Sequence, residues 1–281
     1  MTSLEPIVEV AGLQKRFGNY LAVDDVGFTV PEGGSLGIVG ESGSGKTTIA
    51  RMLVGLEAPT AGTIKVCGRY REPHASVSER RRRARELQIV FQDPYATLDP
   101  RQTVESCLEE VLRLHRPELT KKARQVRVDE LADMVGFDSR QRQALPRRLS
   151  GGQRQRVAIA RALAVEPSVM ILDESVSALD VSIQAQILNL LADIRSETSI
   201  AYILISHDLA VVRHLTEACV VMQNGRVLEA GQTTAVLDNP QSEYTQLLRR
   251  SVPGPGWRPT RRTNAMRAEE ASAPVVQLAA G

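Results

Sequence analysis

Eight consecutive residues, Gly40-Glu41-Ser42-Gly43-Ser44-Gly45-Lys46-Thr47, follow the spacing G-x-x-x-x-G-K-[ST]. Each residue type has its own chemical reason. Glycines at 40, 43 and 45 let the backbone turn tightly around a phosphate. Peptide N–H groups then point inward, and a helix opening at the end of the loop adds its positive pole. Lys46 supplies a charge for the β- and γ-phosphates, and the Thr47 hydroxyl suits Mg²⁺. Thr48, next in the same helical turn, joins this nucleotide-binding set. The plain alternative is a glycine turn with no ligand. Context favours the phosphate, because apolar Leu36-Gly37-Ile38-Val39 runs in as a strand and residues 47–56 leave as a helix that stops near Gly55. ATP with Mg²⁺ is the expected ligand.

A second place for chemistry is Asp173-Glu174, which ends the apolar run Val169-Met170-Ile171-Leu172. Successive strand residues face opposite ways, so two adjacent carboxylates can serve different tasks. Asp173 can hold Mg²⁺, directly or through water, and Glu174 can polarise the attacking water as general base. Acids also mark ordinary solvated strand ends; the phosphate loop upstream favours catalysis. Between the two places, Leu149-Ser150-Gly151-Gly152-Gln153 opens a helix that continues through residues 155–164. It is either another helix N-terminus able to meet a phosphate group or a helix start with Ser150 as its N-cap.

These residues need a scaffold. Residues 7–10 and 21–30 alternate as short half-buried strands, with turns at Gly18-Asn19 and Gly33-Gly34. Further strands are expected at 62–66, 87–91, 169–172, 201–205 and 218–222. Apolar residues recur at helical spacing between 95 and 155. Strands alternating with helices imply a mostly parallel sheet covered on both faces. A short helix is expected at 243–250, and the proline-bearing tail 251–281 is expected to be loosely ordered.

The chain has 281 residues, 42% hydrophobic and 24% charged, enough for one large domain or two modest ones. Its 35 basic and 33 acidic residues leave a net charge of +2, which argues against general nucleic-acid binding. The arginine run Arg80–Arg83 with Arg85 could meet nucleic acid or lipid headgroups, but Glu79 and Glu86 flank it, so a solvated helix face is preferred. Cys67, Cys107 and Cys219 are far apart, with no metal-ligand spacing, and read as partly buried thiols in a reducing, cytosolic compartment. Residues 1–9 do not read as a signal peptide. No stretch reaches the roughly 18 apolar residues that span a bilayer. Work at a membrane would need another chain for the spanning part.

With Leu149–Gln153 lying between the two places, residues 7–238 resemble the ATP-binding cassette (ABC) ATPases. The other landmarks fall in order. Gln92, in Val90-Phe91-Gln92-Asp93-Pro94, resembles the Q-loop glutamine. Ser177-Ala178-Leu179-Asp180 resembles the D-loop, and His207, in Ile205-Ser206-His207-Asp208, the switch histidine. Phe17 stands where the family stacks an aromatic on adenine, with Tyr20 as a weaker candidate. The resemblance implies an α/β P-loop NTPase fold: an ABC cassette with a mostly parallel sheet core, an N-terminal antiparallel β subdomain and a helical subdomain at about 95–155. The cassette would occupy 1–238, followed by an extension at 239–281. It also implies head-to-tail pairing of two cassettes, with ATP between the 40–47 loop of one and Ser150, Gly151, Gly152 and Gln153 of the other; Asp180 belongs to the same nucleotide-binding set. Lys46, Gln92, Glu174 and His207 would be catalytic, and Thr47, Gln92 and Asp173 would hold the metal.

Two stretches, 91–101 and 173–186, are similar to oligopeptide, dipeptide and nickel importers, and the chain is similar to the shorter of their two cassettes. Residues 239–248 are similar to that group's end motif, but Ser242-Glu243 replaces the usual His-Pro before Tyr244. Ser175 stands where proline is usual. The absence of cysteine after Cys219 predicts no iron–sulfur cluster. The resemblance thus implies an ATP-hydrolysing subunit that powers uptake of peptides or related small solutes. It would lie peripherally at the cytoplasmic membrane face. Its partners would be two membrane-spanning permease subunits, a second cassette and an extracytoplasmic solute-binding protein, with no nucleic acid. The competing expectation is a soluble ABC-type ATPase acting on nucleic acid or ribosomes; such relatives tend to carry two fused cassettes or long insertions.

Overall fold

The computed structural model describes residues 6–177 and 179–251, without the side chains of residues 96 and 251. The tail from 252 onward lies outside the described residues, and so does most of the stretch expected to be loosely ordered.

The chain opens with β1 (Pro6–Phe17) and β2 (Tyr20–Pro31), then β3 (Ser35–Val39), α1 (Lys46–Leu53), β4 (Ala61–Val66) and β5 (Arg69–Tyr70). Next come α2 (Val77–Glu86), β6 (Leu87–Val90), α3 (Val104–His115), α4 (Lys121–Met134), α5 (Ser139–Arg142) and α6 (Gly151–Leu163). The remainder is β7 (Val169–Asp173), α7 (Val181–Glu197), β8 (Ala201–Ser206), α8 (Leu209–Leu215), β9 (Ala218–Gln223), β10 (Arg226–Gln232), α9 (Thr233–Asp238) and α10 (Glu243–Ser251).

Two sheets result. One is antiparallel, in the order β2-β1-β4-β5. The other has the order β10-β9-β3-β8-β7-β6, parallel from β9 to β6 with β10 as an antiparallel edge. Every residue of β3, β7 and β8 is buried, as apolar runs in a sheet covered on both faces must be. Alternation along these strands divides the core. Met170, Leu172, Tyr202 and Leu204 pack with the helices, including Leu108, Leu131 and Ile159. Val169, Ile171, Ala201 and Ile203 pack with α1 and the antiparallel sheet, including Val10, Val26, Ile49 and Ile64.

The N-terminal strands are longer than expected. β1 and β2 form one hairpin of two 12-residue strands, turning at Gly18, whose φ is 56°. Register shifts along β1 let the hairpin bend, which breaks the alternation that would have marked it as continuous. The arginine run is also less solvated than expected. It forms α2, capped by Ser76, whose side chain accepts from the Glu79 N–H at 3.2 Å. Arg82 and Arg83 turn onto Glu79, at 2.5 and 2.8 Å, and the buried Arg71 meets Glu86 at 2.8 Å. Arg80, Arg81 and Arg85 are exposed.

The parallel strands share a direction, so their C-terminal ends line one rim, where ligands of open α/β sheets bind. That rim carries Gly40 after β3, Asp173 and Glu174 at the end of β7, and His207 after β8.

Candidate nucleotide site

The 40–47 loop requires its glycines. A Cβ on Gly40 (φ 153°) would lie 2.2 Å from the Met222 carbonyl oxygen, and one on Gly45 (φ 103°) 2.5 Å from that of Ala22. Both obstacles are backbone, so no rotamer relieves them. Lys46 is buried, at 4% exposure. Its Nζ donates to the carbonyl oxygens of Gly40 (2.8 Å) and Glu41 (2.7 Å) and lies 3.4 Å from Ser44 Oγ. The lysine fills the loop from inside and holds its curvature. Burial lowers its pKa, against the opposing pull of Glu174, Asp173 and Glu41.

Thr47 Oγ1 donates to Asp173 Oδ1 at 3.2 Å, joining the loop to β7 across 126 residues of sequence. Asp173 is 5% exposed. Burial raises its pKa and the neighbouring Glu174 adds to this, while the Thr47 bond and Lys46 oppose it. A buried carboxylate beside a hydroxyl is an all-oxygen donor pair suited to a hard divalent cation.

Glu174 sits at φ 47°, in the left-handed region. For a residue with a Cβ this costs roughly 1–2 kcal/mol. Its neighbours hold it there. Its N–H donates to the Ile205 oxygen at 2.9 Å, and its carbonyl accepts from the Ser177 hydroxyl at 2.9 Å. The twist aims the carboxylate into the same hollow as the loop, with Oε1 3.5 Å from His207 Nδ1. That hollow, about 220 Å³, is lined by Phe17, Tyr20, Ser42, Lys46, Thr48 and Glu174 among others. Phe17 and Tyr20 flank the β1–β2 turn at its mouth and are 44% and 60% exposed. Lys15 Nζ lies 4.7 Å from the Phe17 ring centroid, and the Tyr20 hydroxyl lies 3.5 Å from the Gly43 oxygen. Such exposed rings at a phosphate hollow offer a flat base a stacking surface.

The remaining sequence-predicted residues lie elsewhere. Ser150 and Gln153 form a reciprocal capping box on α6: Ser150 Oγ accepts from the Gln153 N–H (3.2 Å) and Gln153 Oε1 from the Ser150 N–H (2.8 Å). Gly152 is buried against Ile183 of α7. Gly151 lines a second hollow, about 300 Å³, with Gln92, Tyr95, Arg154 and Ser175. Gln92 donates to Ser177 Oγ at 3.3 Å, and so touches the carboxylate site only through the Glu174–Ser177 turn. Asp180 is exposed at the start of α7 and makes no side-chain capping bond. Thus one chain brings together the loop, Asp173, Glu174, His207, Phe17 and Tyr20; Ser150–Gln153 line no part of that hollow. A residue absent from the predicted set also touches the loop: the Tyr244 hydroxyl accepts from the Glu41 N–H at 3.0 Å.

A phosphate loop after the third strand and an acidic pair at the end of β7, parallel to it and one strand removed in the same sheet, define the P-loop class of nucleotide hydrolases. The model of the ABC transporter family matches residues 23–177, and the chain belongs to that family as one of its ATP-binding ATPase cassettes. It is 40% identical to the oligopeptide transport ATP-binding protein OppF of Bacillus subtilis, over 89% of this chain and 84% of the relative. It is 43% identical to the di/tripeptide transport ATP-binding protein DppF of Pseudomonas aeruginosa, over 86% and 74%. Among solved structures it is similar to the ATP-binding cassette MJ0796, in a dimeric post-hydrolysis state bound to ADP and Pi. There the TM-score is 0.72 and the identity 28%, over 80% of this chain and 98% of that one. Among the described residues, no helix is long and apolar enough to cross a membrane.

Proposed function

We propose that this cassette hydrolyses ATP to power uptake of peptides or related small solutes. The observation that carries the catalytic part is the Thr47–Asp173 contact beside Glu174: a hydroxyl and two carboxylates lie at one phosphate loop, which supports a cation site with a general base next to it. In this reading the adenine stacks on Phe17, with Tyr20 as the alternative platform, and the backbone N–H groups of residues 42–48 hold the phosphates. Lys46 leaves its carbonyl partners for the β- and γ-phosphates. Thr47 and Asp173 would hold Mg²⁺, joined by Gln92 once it leaves Ser177, and the ion would supply neutralisation of phosphate charge. Glu174 accepts a proton from the water that attacks the γ-phosphorus, and ADP leaves. His207, 3.5 Å from Glu174, orients that carboxylate and contacts the γ-phosphate.

Ser150, Gly151, Gly152 and Gln153 serve a second cassette in this scheme, with Asp180 beside the shared nucleotide. Their separation from the phosphate hollow within one chain supports head-to-tail pairing, as does the similarity to a dimeric cassette. We extend the reading to two membrane-spanning permease subunits, an extracytoplasmic solute-binding protein and a place on the cytoplasmic membrane face. We also divide the chain at about residue 238, between the cassette and its C-terminal extension. The peptide-transport names of the relatives support the substrate class.

The test is the Glu174→Gln chain, trapped with ATP and Mg²⁺ and purified from native membranes with its partners. Expected are retained ATP binding, turnover reduced by roughly 10²–10⁴-fold, and co-purification of two membrane-spanning chains. Undiminished turnover would remove Glu174 as the base. Recovery of ribosomal or nucleic-acid partners alone would remove the transport role and leave the ATPase.

A further inference from the structure

The C-terminal helix reaches back into the nucleotide site. Tyr244, in the first turn of α10, is 7% exposed, and its hydroxyl accepts the Glu41 N–H at 3.0 Å across 203 residues of sequence. Glu41 is the first residue after Gly40, where the backbone leaves β3 and begins to curl. The peptide that joins Gly40 to Glu41 is held from both sides: the Tyr244 hydroxyl accepts from its N–H, and Lys46 Nζ donates to its carbonyl oxygen, that of Gly40, at 2.8 Å. The far end of the loop has its own tie, since the Gly225 N–H donates to the Ser44 carbonyl at 3.1 Å.

α10 is itself fixed in place. The Glu229 carboxylate on β10 accepts from the Gln241 and Ser242 N–H groups at 2.9 and 3.1 Å, just ahead of the helix. Arg249 Nη1 donates to the Asp238 carbonyl at 2.6 Å, and Gln246 Nε2 to the Pro240 carbonyl at 3.2 Å. Thr245, next to Tyr244, is 1% exposed. The phenol is therefore presented from an anchored element.

We infer that Tyr244 is a positioning residue for ATP, holding the first peptide of the phosphate loop in its binding shape. The inference rests on residues 40–47 being the phosphate site. Its force comes from what Lys46 must do there. To reach a phosphate, Nζ gives up the Gly40 and Glu41 carbonyls that now curve the loop. Tyr244 then remains as the described side-chain tie on the Glu41 peptide. Without it, part of the binding free energy goes into ordering the loop, and apparent affinity falls by the fraction of chains whose loop is still shaped for binding.

The experiment uses the full chain with Tyr244→Phe, which removes one oxygen and keeps the buried ring. Fluorescent mant-ATP with Mg²⁺ gives Kd, and steady-state turnover gives KM and kcat. One neutral hydrogen bond corresponds to about a three- to tenfold effect. The expected result is a rise of that size in both Kd and KM, with kcat within about twofold of the parent and an unchanged melting midpoint without nucleotide. Glu229→Gln, which loosens the anchor of α10 and leaves the phenol, is expected to raise KM in the same direction, and it carries the test if Tyr244→Phe does not fold. Lys46→Ala is the control. If Lys46→Ala abolishes mant-ATP binding while Tyr244→Phe binds like the parent, the positioning role is overturned and the phosphate loop stands. A fall in kcat at unchanged KM also overturns it. If Lys46→Ala binds as tightly as the parent, the loop is not the phosphate site and the inference falls with it.

Discussion

Gly152→Ala should destabilise the cassette through one identifiable collision. The added Cβ would lie 2.3 Å from Ile183 Cγ2 and 3.7 Å from Ile183 Cβ. Ordinary carbon contacts begin near 3.5 Å, so over 1 Å of overlap must be relieved. Ile183 is β-branched on a helix, where one χ1 rotamer dominates. Rotation gives little, and α6 and α7 must part. Overpacking of this kind costs about 1–3 kcal/mol. At roughly 2–4 °C per kcal/mol for a large domain, the melting midpoint should fall by about 2–12 °C. Ile183 is only partly buried, so Ile183→Ala alone should cost less than the 2–5 kcal/mol of a fully buried isoleucine. The double variant should recover at least about 1 kcal/mol relative to the sum of the single changes, because the methyl group then occupies vacated space. Urea denaturation and thermal melting of the four chains measure this cycle. A strictly additive double variant would refute the reasoning and show that the loss comes from the α6 cap instead.

The other predictions concern protonation. Burial pushes the Cys219 thiol up to about 11 and also raises Cys107 and Cys67. At pH 8 about a thousandth of Cys219 would be thiolate. A disulfide reagent should therefore label the half-buried Cys67 first, and Cys107 and Cys219 only after unfolding; prompt labelling of all three would mean a looser core. Burial alone would raise the Glu229 pKa, but the Gln241 and Ser242 N–H groups and the Thr245 hydroxyl outweigh it and hold the carboxyl below its ordinary 4.5. A depressed carboxyl stabilises the fold above its unfolded pKa and loses that contribution as pH falls through the folded value. Melting curves should show the parent ahead of Glu229→Gln above pH 4.5, with the two converging in acid; a constant gap would refute the carboxylate's role.

The sequence revealed most where the chemistry is local. The phosphate loop is eight contiguous residues in which Gly40 and Gly45 answer to obstacles in the fold, and fully buried strands such as Val169–Asp173 announce themselves as apolar runs. β10 escaped notice because it is a mostly exposed edge strand, Arg226–Gln232, whose polar and apolar residues do not alternate between its two faces. Arg71 and Glu86 gave no sign of pairing, since fifteen positions separate them and both types usually lie in water. Of the two readings of Ser150, the structure displays the helix cap, and Gly151 beside it lines a hollow. The Tyr244–Glu41 contact was illegible for a plainer reason. No periodicity or spacing links residues 203 apart; only the packing of α9 and β10 brings α10 beside the loop.

The gathering of Gly40, Asp173, Glu174 and His207 on one rim leaves the other rim chemically idle. There Ser199, exposed between α7 and β8, and Glu166, exposed ahead of β7, sit at the start of the strands rather than at their reactive ends. Glu166 is already engaged by Arg116 and Arg127, which leaves Ser199 as the better place for a label. A dye attached there would ride on a rigid, fully buried strand and report the tilt of the whole cassette while ATP turns over at the opposite edge.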